Sequence, residues 1–174
     1  MAGGRYRDGE GPPGGDQVGP NPTDRAKNGT KRSVLVEAQG GPLAVVVAPA
    51  NVHDTKLLEQ TLEAVVVERP RPTKQEPQPL CLDKASDNPT GHQATQQYHY
   101  VPHIRRIGEE KWDTRRRKKY PPRRWVVERT LAWLSKCRGI LVRYEKKAQN
   151  YLGLLQFACG LLWYRRLALS PVLR

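Results

Sequence analysis

Long apolar runs are what this sequence most clearly lacks. None approaches the roughly 18 residues needed to cross a bilayer, and the N-terminus has no apolar core of the kind a secretory signal carries. A cytoplasmic protein with no membrane partner is therefore the default expectation. Cysteine is nearly as scarce. Cys81, Cys137 and Cys159 are odd in number and far apart, which excludes both a disulfide framework and closely paired zinc ligands. They are expected to be reduced, mostly buried thiols. Acidic residues are also few, 17 against 30 Lys plus Arg, leaving a net charge of +13 and a pI near 10.0. That imbalance favours a polyanionic partner, DNA or RNA.

The first 24 residues lack large apolar side chains. Gly and Pro dominate MAGGRYRDGEGPPGGDQVGPNPTD, and such a stretch cannot bury enough surface to offset its chain entropy. A disordered or degenerate arm over residues 1–24 is the expectation, with Asp8 and Asp16 as solvated charges. At 174 residues and 37% hydrophobic content the remainder suffices for one domain, over 25–169, with a short tail at 170–174.

What is present reads as mixed α/β. Arg25–Arg32 is a basic segment, either a solvated loop or a phosphate contact. Ser33–Glu37 and Pro42–Pro49 are β-branched runs joined by Ala38-Gln-Gly-Gly41, the signal of a hairpin. The consecutive Val45, Val46 and Val47 predict a strand covered by helices on both faces. Leu57, Leu58, Leu62 and Val65 predict a helix over Thr55–Val67, capped by Asn51 or Asp54. A proline-rich loop then leads to Leu80–Asp83, a short strand ending on a carboxylate. Asp83 suits a site there or, more simply, a turn. Gly91–Gln97 predicts a short helix, Tyr100–Ile104 a further strand, and Ala148–Ala168 a long helix whose core stripe is Tyr151, Leu154, Leu155, Ala158, Leu161 and Leu162.

Between these lie the cations. Arg115, Arg116, Arg117, Lys118 and Lys119 are consecutive, and a run like this is either a solvated loop or a phosphate-binding one. Trp112 beside it could stack on a base or anchor the loop. The next stretch, YPPRRWVVERTLAWLSK at 120–136, predicts a helix with Arg124, Glu128 and Lys136 near one face and Trp125, Val126, Leu131, Trp133 and Leu134 supplying apolar bulk. Glu128 is either neutralised by its arginines or a metal ligand beside a phosphate-rich partner.

Three segments, ANVHD at 50–54, LDKASDNP at 82–89 and YPPRRWVVERTLAWLSKCRGILVRYEKK at 120–147, resemble the DDE transposases of bacterial insertion sequences. The branch they resemble is named after insertion sequence five, within the group named after insertion sequence four, and the resemblance spans about 19–167. It implies a ribonuclease-H-like mixed sheet with flanking helices in which two Asp and one Glu hold two Mg²⁺ (or Mn²⁺) ions. Carried over by residue, the second Asp is Asp83 and the Glu is Glu128. Asp8, in an Asp-Gly pair, is the one candidate for the first, on a strand expected to be missing or degenerate. The associated Tyr, Arg and Lys fall at Tyr120, Arg124 or Arg123, and Lys136. The implied function is DNA transposition by strand cleavage and transfer, with terminal inverted repeats and target DNA as partners and a homodimer as one option. An N-terminally truncated member is expected. The alternative is a remnant that holds DNA non-specifically without cutting it, and a basic RNA-binding protein of ribosomal type is the third class.

Overall fold

The computed structural model describes residues 2–22, 27–104 and 124–169, with side chains described for 11–22, 27–104 and 125–168. Its architecture is mixed α/β, a small antiparallel sheet and a parallel strand pair with helices against them. The antiparallel sheet is built from β1 (Ala2–Glu10), β2 (Gly19–Pro20), β3 (Asn28–Val36) and β4 (Pro42–Pro49), with β3 between β1 and β4. The parallel pair is β5 (Gln78–Leu82) and β6 (Tyr100–Ile104).

Strand β1 is a departure from the arm that composition predicts. It pairs with β3 from Arg5 opposite Val34 to Glu10 opposite Gly29, with one irregularity between Ala2 and Arg5. Its other neighbour is β5. Its ladder with β3 is made by main-chain groups that every residue possesses, so a Gly-rich sequence can occupy the strand. The first strand is therefore present in the fold.

The hairpin forms as predicted, with a longer first strand. Asn28–Arg32 joins β3 because β1 and β4 pair with it there, Lys31 lying opposite both Asp8 and Ala48. Arg32 is buried despite its charge and donates from its guanidinium to the Ile140 carbonyl at 2.9 Å. At the turn Gly40 has φ +93°, a left-handed conformation that strains any other residue. Glu37 closes this turn by accepting the N–H groups of Gln39 and Gly41 and pairing with Arg166 at 2.8 Å.

Helices cover both faces, as the valine run implies. Val34 and Val36 pack with Val126, Leu131, Leu134, Tyr151 and Leu155 on one side. Leu35 packs on the other with Leu58, Leu62, Leu80, Leu82 and Ala94. The helices are α1 (Asp54–Glu63), α2 (Pro89–Gln97), α3 (Arg124–Leu134), α4 (Arg138–Leu141) and α5 (Ala148–Leu169). Helix α1 stops before Val65–Val67, where β-branched residues disfavour another turn. Its cap is His53, whose Nδ1 accepts the Thr55 N–H at 3.3 Å, and not Asn51 or Asp54. Asp54 is occupied instead by the Lys31 ammonium at 2.7 Å.

Three further expectations change. Cys137 is exposed, not buried, while Cys81 and Cys159 are half-buried, and burial pushes the Cys159 thiol up to about 11. Lys136 lies beyond the end of α3, where Lys136 and Cys137 donate back to Trp133 and Leu134 in a tightened final turn. Trp125 and Trp133 are 52% and 42% exposed, and Val127 takes the core position on α3 instead.

Burial alone would raise the Glu37 carboxyl, but the two N–H donors and Arg166 outweigh it and hold the carboxyl below its ordinary value. A depressed folded value means its stabilisation is present above the unfolded glutamate pKa and is lost as pH falls through the folded one. Glu37→Gln should therefore lower stability in urea melts by roughly 1 kcal/mol at neutral pH and leave a smaller difference from wild type in acid. An unchanged gap between the two proteins across that range would contradict this.

Candidate functional site

The carboxylates picked out by sequence sit on elements that touch one another. Asp8 is near the end of β1, opposite Lys31. Asp83 follows directly on β5, the neighbour of β1. Glu128 is in the middle of α3, which lies against β1 and β3. One central strand thus contacts both of the other elements.

Hydrogen bonds tie the Asp8 end of the sheet to the Asp83 loop. Lys31, opposite Asp8, reaches across to the Val52 carbonyl at 3.0 Å and to Asp54. The next residue, Thr55, accepts a bond from the Asn88 side-chain amide at 3.0 Å, and the same amide donates to the Ala85 carbonyl at 2.9 Å. Two of the distinctive sequence segments, 50–54 and 82–89, are therefore joined in space. Asn88 also caps α2, its Oδ1 accepting the Gly91 N–H at 2.9 Å. Asp83 is half-buried and caps the 3₁₀ turn Lys84–Ser86, accepting the Lys84 N–H at 2.7 Å. The turn role expected of Asp83 and its place at a strand end are thus both realised, and the main-chain bond fixes the carboxylate's orientation.

Glu128 faces solvent on α3. The helix under it is pinned at the hairpin turn, where Thr130 donates to the Gly40 carbonyl at 2.7 Å and Arg129 donates to the Gln39 carbonyl. On the same outer face the Arg129 guanidinium stands 4.6 Å from the Trp125 ring centroid, and the Lys136 ammonium 4.7 Å from that of Trp133, with Arg165 at 6.0 Å. Sequence reading treats both tryptophans as core. The signal that could have found them is an aromatic followed three or four residues later by a cation, Trp125 with Arg129 within α3 and Trp133 with Lys136 just past its end.

Arg115, Arg116, Arg117, Lys118, Lys119, Tyr120 and Arg123 lie outside the described residues, as does Trp112. Arg124 is the first residue of α3. Among the described side chains no three His, Cys, Asp or Glu form a metal-binding group, and the side chain of Asp8 is not among those described. In chemical type the set Asp8, Asp83 and Glu128 fits a hard divalent cation, because all three offer carboxylate oxygens and none offers sulfur.

Comparison with known proteins gives this placement its meaning. The family model described as "Transposase DDE domain" matches residues 8–163. The chain belongs to the DDE transposase family. A relative named "Putative transposase for insertion sequence element IS402", from Burkholderia cepacia, is 32% identical over 158 residues, covering 87% of this chain and 70% of that protein. No solved structure matches. A role in DNA transposition follows from the family, as does the class of DNA-cleaving and DNA-joining enzymes, whose domains generally depend on divalent metals. No helix among the described residues of this transposase domain is long and apolar enough to cross a membrane.

Asn88 is the residue by which the loop after Asp83 is held to α1. Asn88→Ala should lower stability in urea by about 1–2 kcal/mol, through loss of a helix cap and a side-chain link. A melt indistinguishable from wild type would show that the loop is held by something else.

Proposed function

We propose that the chain is a metal-dependent DNA strand-cleaving and strand-joining enzyme with a ribonuclease-H-like domain, acting at the terminal inverted repeats of an insertion sequence and on target DNA. The observation that carries this is the contact of β1, bearing Asp8, with both the strand that Asp83 directly follows and the helix that bears Glu128. The order β4, β3, β1 with β5 alongside and β6 parallel to β5 supports the ribonuclease-H-like assignment. Placement in the insertion-sequence-five branch is supported by the wording of residues 120–147.

Asp8, Asp83 and Glu128 are the residues that would hold Mg²⁺ or Mn²⁺, two ions in the full arrangement. When bound, such a pair makes a potent nucleophile of water or a DNA 3′-hydroxyl and stabilises the leaving oxygen. The remaining roles belong to the protein. Main-chain hydrogen bonding to Asp83 pre-orients one ligand, so that less freedom is lost when the cation binds. Arg129 and Lys136, each stacked on a half-exposed tryptophan, offer positive charge for DNA phosphates beside aromatic faces on which an unpaired base can stack. Tyr120, Arg123, Arg124 and the run Arg115–Lys119 are assigned to the same backbone-contacting surface, which the excess of cations suits.

Nicking of inverted-repeat duplex DNA in the presence of Mg²⁺ or Mn²⁺ tests the proposal. Asp83→Ala and Glu128→Ala should each reduce the rate by more than about 100-fold, since loss of outer-shell partners of a metal already costs 10- to 100-fold. Cleavage that survives both changes, or that proceeds in excess chelator, would sink the metal-site assignment. Binding with steep salt dependence and no cutting at all would mark a non-cleaving DNA-binding remnant.

A further inference from the structure

Arg143, in the loop between α4 and α5, is 2% exposed. Taking a guanidinium out of water costs free energy, and burial holds this one below its ordinary pKa. Four oxygens offset that cost. Nε donates to the Glu145 carbonyl at 2.8 Å and Nη2 to the Lys146 carbonyl at 3.0 Å, while Nη1 donates to Thr30 Oγ1 at 2.8 Å and to the Gln17 carbonyl at 3.4 Å. Thr30 Oγ1 in turn donates to the same Gln17 carbonyl at 3.0 Å, and the Asp16 N–H donates to the Lys146 carbonyl at 2.8 Å. One side chain thus joins its own loop to residues 113 and 126 positions earlier.

Those two residues bracket the end of β1. Thr30 lies opposite Gly9, the neighbour of Asp8, and Gln17 is in the segment that leaves β1 and returns as β2. Gly-Glu-Gly-Pro-Pro-Gly-Gly at 9–15 supplies little bulk with which to fix its own path. Gln17 has φ 54°, a left-handed conformation uncommon for a residue with a side chain, and such a conformation persists where its surroundings over-determine it. Arg32, on the same face of β3 as Thr30, lies opposite Arg7 and donates to the Ile140 carbonyl, which also accepts the Tyr151 hydroxyl at 2.8 Å. Thr30 and Arg32 therefore tie 140–146 to the stretch of β3 whose middle residue, Lys31, is opposite Asp8. We propose that Arg143 is a positioning residue for the carboxylate centre, clamping Gln17 and Thr30 to the loop at 145–146 and so fixing the exit of β1 and the placement of Asp8. This rests on the reading of Asp8 as a metal ligand. An apolar side chain would fill the space without spanning the acceptors. Lysine would keep the charge, but its single ammonium cannot reach oxygens spread around a planar fork.

Arg143→Lys is the direct test, and Thr30→Val, which keeps the buried volume and removes the hydroxyl, carries it if the lysine variant folds poorly. Hydrogen exchange followed by NMR on the full chain reads the clamp without metal or DNA. The Gly11 and Asp16 amides, which donate to the Asn28 and Lys146 carbonyls, should exchange at least about tenfold faster in either variant, a larger change than at the core residues Leu35 and Leu155. Titration with Mn²⁺ then reads positioning. Affinity should fall about tenfold in both variants, whereas Gln156→Gly, which weakens α5 through helix propensity alone, should stay within about twofold of wild type. Gly11 and Asp16 amides that exchange as in wild type, or Mn²⁺ affinity kept despite faster exchange, would overturn the proposal. A wild-type chain that binds no Mn²⁺ would overturn both the metal-site reading and the role given to Arg143, a failure that the exchange rates tell apart from absence of the clamp.

Discussion

The main-chain pairing of β1 with β3 is the contact on which the rest of the structure depends. Through it the strand Ala2–Glu10 is added to the hairpin β3–β4, and it is β1 that contacts β5 of the separate parallel pair. Helix α3 rests on both β1 and β3. Without β1 the antiparallel sheet would lose its contact with β5, and α3 would lose part of the surface beneath it. The ladder itself is made by amide and carbonyl groups.

That dependence explains what is legible in the sequence and what is not. The hairpin at Ser33–Pro49 and the strand at Tyr100–Ile104 can be read directly, because β-branched runs report burial that the segment itself creates, whereas the long last helix is legible as a helix but not in its buried face, since Leu154 and Leu161 of the expected core stripe are 39% and 43% exposed. β1 cannot, because its Gly-rich sequence has no apolar pattern and its neighbours supply the order. Helix ends are hidden for a related reason. Asp54 has the type and place of a cap, but Lys31, 23 residues earlier, holds its carboxylate, and His53 caps instead. Trp125 and Trp133 read as core on size alone, where stacking with Arg129, Lys136 and Arg165 lets them stay at the surface.

At the candidate site the sequence names residues, and the fold supplies the elements that relate them. Asp83 can be recognised as a strand-end carboxylate, yet its link to the Asp8 end of the sheet runs through Lys31, Asp54, Thr55 and Asn88, which no local pattern connects. The distribution of charge follows a similar division. α3 carries cations beside exposed rings, whereas α5 keeps an uncharged face.

Divalent-cation binding, measured without DNA, addresses the central claim that β1, the end of β5 and α3 converge on one site. Paramagnetic resonance of Mn²⁺ titrated into the folded chain reads it directly. Saturable binding should be weakened by more than about tenfold by each of Asp8→Asn, Asp83→Asn and Glu128→Gln. An Asp8→Asn protein that keeps its melt and binds Mn²⁺ as tightly as wild type would contradict that claim, since β1 would then hold the fold together without contributing to the site.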